Sequence, residues 1–251
     1  MSCRVFIGNI KKMKARDEMR LTGEESKYVA RVLRLKEKDK VILSSAESLE
    51  YHCIIKAIEK KSVLLSVDRV DEPNRESTLD IILCQALPKS KKMDLIIQKG
   101  TELGVTRFIP FISSRAVSRP DSREGREKVK RWEKLALEGA RQCGRTFIPP
   151  VDEVISLDEL LSRLSEIDDE DTLKIIPWES EDKQGLKELS NKSYKKACLL
   201  IGPEGGFSPE EVEKAKKAGF IPITLGNRLL RTETAGFTAI AIMQYMWGDM
   251  G

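Results

Sequence analysis

The spacing of apolar positions changes character once along the chain. Up to about residue 70 the apolar residues recur at every second position in short runs, CRVFIG, DKVILSS, EYHCIIKAIEKK and SVLLSVDRV, separated by charged or serine-containing turns. Side chains of a strand alternate between its two faces, so this spacing predicts half-buried strands. One stretch, TGEESKYVARVLR, has instead the spacing of a capped helix. The N-terminal part reads as a small, mostly β module.

Asp71–Thr78, DEPNREST, has the proline, asparagine and charge content of a boundary, which places domains at 1–72 and 73–251. After it strands and helices alternate. LDIILCQAL is a near-continuous apolar run, as in a strand buried on both faces, and KSKKMDLIIQKGTELG follows with helical spacing and a stop at Gly104. Then come TRFIPFIS, a long basic helix from about Glu124 to Cys143, SLDELLSRLSE, DTLKIIPWE, ACLLIG, SPEEVEKAKKAG, FIPITLG and a last helix from about Thr232 to Trp247. This order predicts an α/β domain with a mostly parallel sheet covered on both faces. Ligands of such sheets lie at the carboxyl ends of the strands. The last helix is apolar at too many positions for one buried face. An exposed patch of Met243, Tyr245, Met246 and Trp247 would be costly in water and predicts a second subunit.

Composition narrows the chemistry. The 251 residues are 40% apolar and 33% charged, an ordinary globular balance, and no apolar run approaches the roughly 18 residues that span a membrane. The opening MSCRVFIGNIKK has no apolar core or cleavage site of a secretory signal, so the expected location is cytoplasmic, away from membranes. Five scattered cysteines without a CxxC pair and a single histidine, His52 in an alternating strand pattern, leave no zinc or other metal site, disulfide framework or histidine-based catalytic machine to expect. Charge is unevenly distributed: residues 1 to 40 carry twelve Lys and Arg against six acids, a net +6, whereas residues 152 to 188 hold thirteen acids against four bases, a net −9. A basic N-terminal part fits a polyanionic partner.

Two loops carry the candidate chemistry. IGPEGGF, from Ile201 to Phe207, has neither the GxGxxG spacing of a dinucleotide turn nor the lysine of a P-loop. Its glycines, Gly202, Gly205 and Gly206, let backbone approach a ligand closely. Ser208, Pro209 and Glu211 then open a helix as cap, first position and capping-box partner. LGNRLLRTETAGF, from Leu225 to Phe237, bends at Gly226, carries Arg228 and Arg231, and leads into a helix that Thr232 can cap. Leu229 and Leu230 are costly in a loop unless they cover something. Together the loops suit a nucleoside-like ligand held by main-chain groups.

The pairing of IGPEGGFSPEE with LGNRLLRTETA, supported by QKGTELGV, EGARQCGR and YVARVLRLKEKD, resembles the RsmE family, the 16S rRNA (uracil-N3) methyltransferases of the SPOUT superfamily. The chain departs from the family pattern at Lys27–Tyr28 in place of a histidine, Arg141 in place of an acid and Cys143 in place of a serine. The resemblance implies a PUA-like β-barrel at 1–72, then a SPOUT α/β domain tied in a C-terminal trefoil knot. It also implies a homodimer that methylates N3 of a uridine in small-subunit rRNA, within the assembled 30S subunit. The cofactor would be S-adenosylmethionine. Its pocket would comprise Ile176, Pro177, Trp178, Leu200, Ile201, Gly202, Pro203, Glu204, Gly205, Gly206, Leu225, Gly226, Leu229, Leu230, Arg231, Thr232 and Ala235, with Ile176 and Leu230 against the adenine. Arg231 would stabilise the uracil anion and Glu233 would play a lesser part, while Glu204 would bond amides of its own turn. Arg4, Lys11, Lys12, Arg16, Arg31, Arg34 and Arg145 would contact RNA phosphates. A related enzyme acting on a ribose 2′-hydroxyl and a non-catalytic RNA-binding protein stay open as alternatives. A dinucleotide oxidoreductase is disfavoured by the absence of GxGxxG.

Overall fold

The computed structural model describes residues 3–7, 11–45, 49–167 and 169–251. Gly8, the end of the expected first strand, lies outside them. The chain divides into two compact units, 1–76 with 140–147, and 77–139 with 148–251.

The first unit holds strands β1 (Arg4–Ile7) and β2 (Glu18–Thr22), a short helix α1 (Gly23–Lys27) that continues as a π-helical turn, and strands β3 (Lys40–Ser45), β4 (Glu50–Ile58) and β5 (Ser62–Asp71). They form one curled sheet in the order β1-β3-β4-β5-β2. Its inward side chains, among them Val5, Leu43, Tyr51, Ile55 and Leu65, make one core. Among the described residues β1 and β2 are free edges, so the unit is a half-barrel of the PUA type rather than a closed barrel. β2 was not legible in the sequence: EMRLT is exposed or half-exposed except at Leu21, too polar a run to stand out.

Glu50 is the unit's one fully buried carboxylate among the described residues. It accepts from Arg4 Nε at 3.1 Å and from Arg75, whose guanidinium also donates to the Gly144 carbonyl at 3.1 Å. Burial pushes the Glu50 pKa up, but the hydrogen bonds from Arg75 and Arg4 outweigh it and hold the group below the ordinary carboxylate value. A depressed folded-state value gives stability that is complete above the unfolded value and is lost as pH falls through the folded one. Glu50→Gln is expected to cost about 3 kcal/mol at neutral pH, because two guanidinium groups lose their anion. It should also flatten the acid limb of the stability curve below about pH 4.3; denaturant unfolding of wild type and variant at pH 7 and pH 4 checks both.

The second unit is built on β6 (Asp80–Ala86), α2 (Lys92–Glu102), β7 (Val105–Ile112), α3 (Ser122–Cys143, whose last turn falls in the first unit), β8 (Ile155–Ser156), α4 (Leu157–Ser165), β9 (Thr172–Pro177), β10 (Lys196–Ile201), α5 (Pro209–Lys217), β11 (Ile221–Ile223) and α6 (Thr232–Trp247). All six strands are parallel, in the order β11-β9-β10-β6-β7-β8. The continuous apolar runs have their reason here, since alternate residues enter different cores. Ile81, Leu83 and Leu199 pack with α2, α3 and α6, whereas Ile82, Cys84 and Leu200 pack with α4 and α5. The capping box of α5 is present: Ser208 Oγ accepts from the Glu211 amide at 3.2 Å, and Glu211 Oε2 accepts from the Ser208 amide at 2.9 Å.

The apolar surface of α6 is smaller than its composition suggests. Met243 is fully buried. Trp247 stands edge-on to Tyr194 and donates its indole N–H to the Lys192 carbonyl at 2.9 Å. Of the expected patch, Tyr245 is the residue left open, at 69% exposure.

Candidate active site

Parallel strands send their following loops to one edge of the sheet. There the segments after β9, β10 and β11, with Lys92 at the start of α2 and the first turn of α6, enclose a cleft of about 590 Å3. That is within the range of small-molecule sites, about 300 to 1,000 Å3. Pro177 and Trp178 form one wall, Ile201 to Glu204 with Gly206 and Phe207 another, and the stretch from Thr224 to Thr232 the third.

One hydroxyl joins two of these walls. Thr232 Oγ1 donates to the Gly202 carbonyl at 2.6 Å and accepts from Gln85 Nε2 at 3.0 Å. Gln85 is fully buried at the end of β6 and donates also to the Ala86 carbonyl at 2.9 Å. Thr232 is therefore not the helix cap that its position suggests. Arg231 occupies the cap position in extended backbone and makes no side-chain cap bond.

Gly206 has a φ of +65°, a left-handed conformation that favours glycine, and it lies against the Glu179 carboxylate. Gly202 lies against the Phe207 ring, which stacks in turn on Phe111. Gly205 points out of the cleft, where its carbonyl accepts from Arg115 Nη1 at 2.9 Å.

Lys92 fastens the mouth of the cleft. Its ammonium lies 3.0 Å from Glu204 Oε1 and 3.4 Å from Glu233 Oε2. Glu204 meets backbone amides both in its own turn and outside it. It accepts from the Lys89 amide, at 3.1 and 3.3 Å to its two oxygens. Burial pushes the Glu204 pKa up, but Lys92 and the backbone amides more than offset this and keep it below the usual range. The Lys92 pKa is raised, first by the Glu204 hydrogen bond. Glu233 Oε2 is shielded from water, and the Lys92 ammonium is the cation that faces it. With its pKa held below the usual range, Glu204 is not set up as a strong base.

Most of the expected cofactor residues line this one cleft. Ile176 and Leu200 do not; both are fully buried in the core under α4 and α5, and Gly205 faces away. Lys92, Glu179, Glu181 and Asp182 also line it and were not singled out from the sequence. Lys92 is hidden in a run of lysines, and the only available signal was its place at the first helical position after a buried strand.

The expected RNA contacts divide in two. Lys11, Lys12, Arg16, Arg31 and Arg34 are exposed. Arg4 and Arg145 are not: Arg4 bonds Glu50, and Arg145, at 5% exposure, bonds Glu76 Oε2 from Nε at 2.9 Å. Their charge serves the first unit's interior. The departures at Tyr28 and Arg141 meet each other, the Arg141 guanidinium lying 4.3 Å from the centre of the Tyr28 ring.

The chain thus combines a parallel α/β unit, with a glycine-lined cleft at the carboxyl edge of its sheet, and a curled half-barrel unit, and its matches show the class to be that of two-domain RNA methyltransferases. A family described as the RNA methyltransferase domain matches residues 75–244, and one described as the RNA methyltransferase PUA domain matches residues 21–68. Ribosomal RNA small subunit methyltransferase E of Bacillus subtilis is 38% identical over 178 residues, 68% of each chain. The protein of the same name from the Acyrthosiphon pisum strain of Buchnera aphidicola is 38% identical over 176 residues, 70% of this chain and 67% of its own. Among solved structures, ribosomal RNA small subunit methyltransferase E of Neisseria gonorrhoeae bound to S-adenosyl methionine superposes with a TM-score of 0.87 at 29% identity over the full length of both chains. A Legionella pneumophila protein in complex with SAM gives 0.88 at 32% identity over 99% of both. The chain belongs to the ribosomal RNA small subunit methyltransferase E family.

Proposed function

We propose that this protein methylates N3 of a uridine in small-subunit ribosomal RNA, in the assembled 30S subunit, with S-adenosylmethionine as donor. The observation that carries the reading is the cleft, whose walls come from the two glycine-containing loops and whose size fits a nucleoside. Gly206 supports it further, since its left-handed backbone at the cleft wall favours glycine and lets the main chain come close to a ligand. When bound, the cofactor supplies an electrophilic methyl group on a sulfonium. The residues of this chain do the rest. Pro177, Trp178, Ile201, Leu225 and Leu230 would enclose the adenosine, and Gly202, Gly206 and Gly226 would let backbone come close to it.

Uracil N3 is an imide nitrogen and reacts once its proton is lost, so negative charge develops on O2 and O4. Arg231 lines the cleft, is exposed, and has no carboxylate within ion-pair distance among the described residues. It would stabilise that charge. Glu233 would act mainly by positioning Lys92. The trefoil threading, the homodimer and the cytoplasmic location belong to the same proposal. No described helix is long and apolar enough to cross a membrane. Tyr245 on α6 supports a subunit contact, and a monomeric mass by light scattering at micromolar concentration would remove it.

The deciding experiment is methyl transfer from labelled S-adenosylmethionine to undermethylated small subunits and to free small-subunit rRNA, followed by nucleoside analysis. 3-Methyluridine is expected, with the subunit the better substrate. A 2′-O-methyl nucleoside would assign the chain a different target, and binding of RNA without donor binding in calorimetry would make it a binding protein.

A further inference from the structure

The arginines of the second unit fall into two classes. Arg107, Arg123, Arg131 and Arg163 each face a carboxylate, Asp152, Glu127, Asp94 and Glu159 respectively. Arg115, Arg119, Arg126, Arg228 and Arg231 have no carboxylate within ion-pair distance among the described residues, and all five are exposed. Arg228 and Arg231 belong to the cleft. Arg115 and Arg119 belong to the loop that follows β7, at the same carboxyl edge of the sheet, and the cofactor reading gives that loop no role.

This loop is held in place by the turn that lines the cleft. The Ser114 amide donates to Glu211 Oε1 at 2.7 Å, and Glu211 is the buried capping-box residue of α5. Ala116 is buried and closes a turn onto the Ser113 carbonyl at 3.2 Å. Arg115 donates to the Gly205 carbonyl at 2.9 Å and Arg119 to the Ser114 carbonyl at 2.8 Å. A carbonyl partner orients a guanidinium without cancelling its charge, and leaves most of its five donors free. Two oriented cations without an ion-pair partner among the described residues therefore stand beside the glycine turn, Arg115 near enough to Glu210 for its charge to help lower that carboxyl's pKa. Such a pair suits a partner with closely spaced, singly charged oxyanions, and order already established lowers the entropy lost on binding.

We infer that Arg115 and Arg119 grip the phosphodiester backbone of the RNA next to the nucleotide being methylated, making the loop after β7 a second RNA contact separate from the basic surface of the first unit. The inference rests on the function proposed above and deepens it. Phosphate contacts carry little sequence information but set register, so the loop would fix which nucleotide reaches the cleft.

The test uses the full-length protein and a small-subunit rRNA fragment containing the target. Arg119 is the residue to change, because Arg115 also supports the Gly205 carbonyl. Arg119→Ala should weaken RNA binding by about five- to tenfold and lower the slope of log affinity against log salt by about 0.7 to 0.9, one cation's share. Arg119→Glu should weaken it further. S-Adenosylmethionine affinity in calorimetry should stay at the wild-type value in both. Arg163→Ala, which removes a carboxylate-paired arginine, should leave RNA affinity and salt slope unchanged. Wild-type RNA affinity and slope in Arg119→Glu would overturn the inference, as would an equal loss in Arg163→Ala. These readouts are of binding, so they stand apart from failure of the proposed function, which would show as no methyl transfer by the wild-type protein.

Discussion

Arg231→Ala should lower kcat on undermethylated small subunits by about 10²- to 10³-fold, the usual cost of removing a group that faces developing negative charge. Donor affinity should change by less than about threefold, or about 0.7 kcal/mol. The two effects separate because of where the residue sits. Its carbonyl, not its side chain, opens α6, accepting from the Ala235 amide at 2.8 Å, and alanine keeps that bond. The guanidinium makes no cap bond and has no acidic partner among the described residues, so its loss leaves nothing behind unsatisfied. Arg231→Lys should recover part of the rate, since it restores the charge but not the planar fork. Single-turnover methylation with saturating donor measures the effect. Weakened donor binding at unchanged kcat would instead place Arg231 among the groups that hold S-adenosylmethionine.

The second large effect concerns a residue with no chemical role. Thr232→Val keeps the shape but removes the hydroxyl that serves the Gly202 carbonyl and Gln85 Nε2. Groups left without a partner cost about 1 to 3 kcal/mol when buried, as Gln85 is, and less at the half-buried Gly202, so the loss should total about 2 to 4 kcal/mol. For a unit of this size, that lowers Tm by about 5 to 10 °C. Donor binding should weaken as well, because the hydroxyl holds the turn after β10 to the start of α6, two walls of the same cleft. Thr232→Ser should restore both properties. Calorimetric melting and donor titration of the three proteins decide it; a valine variant with unchanged Tm and donor affinity would show that the hydroxyl is not what joins the walls.

Much of the fold could be read from spacing. The bounds of α6 and the capping box of α5 follow from local rules, because a helix start depends on residues three or four apart. The double-faced strands β6 and β10 follow from unbroken apolar runs. β2 escaped because only one of its residues, Leu21, is buried. The site was legible as two loops but not as a set of directions. Ile176 and Pro177 are neighbours in a strand, and the pleat sends one into the core and leaves the other at the cleft. Thr232 fits a cap by position, yet its hydroxyl goes to Gly202, thirty positions earlier in the chain.

What the amino-acid sequence determined by itself was local: the periodicity that makes strands and helices, the glycines that permit Gly206 its left-handed backbone, the ending of each strand in a loop. Which cations remain free was decided by tertiary structure alone. Arg4 and Arg145 meet Glu50 and Glu76, while Arg115 and Arg119 donate to main-chain carbonyls and form no ion pair among the described residues. Those partners lie tens of positions away in most cases, and no spacing rule reaches that far. Charge neutralisation depends on distance in space, falling off over a few ångströms, whereas secondary structure depends on distance along the chain.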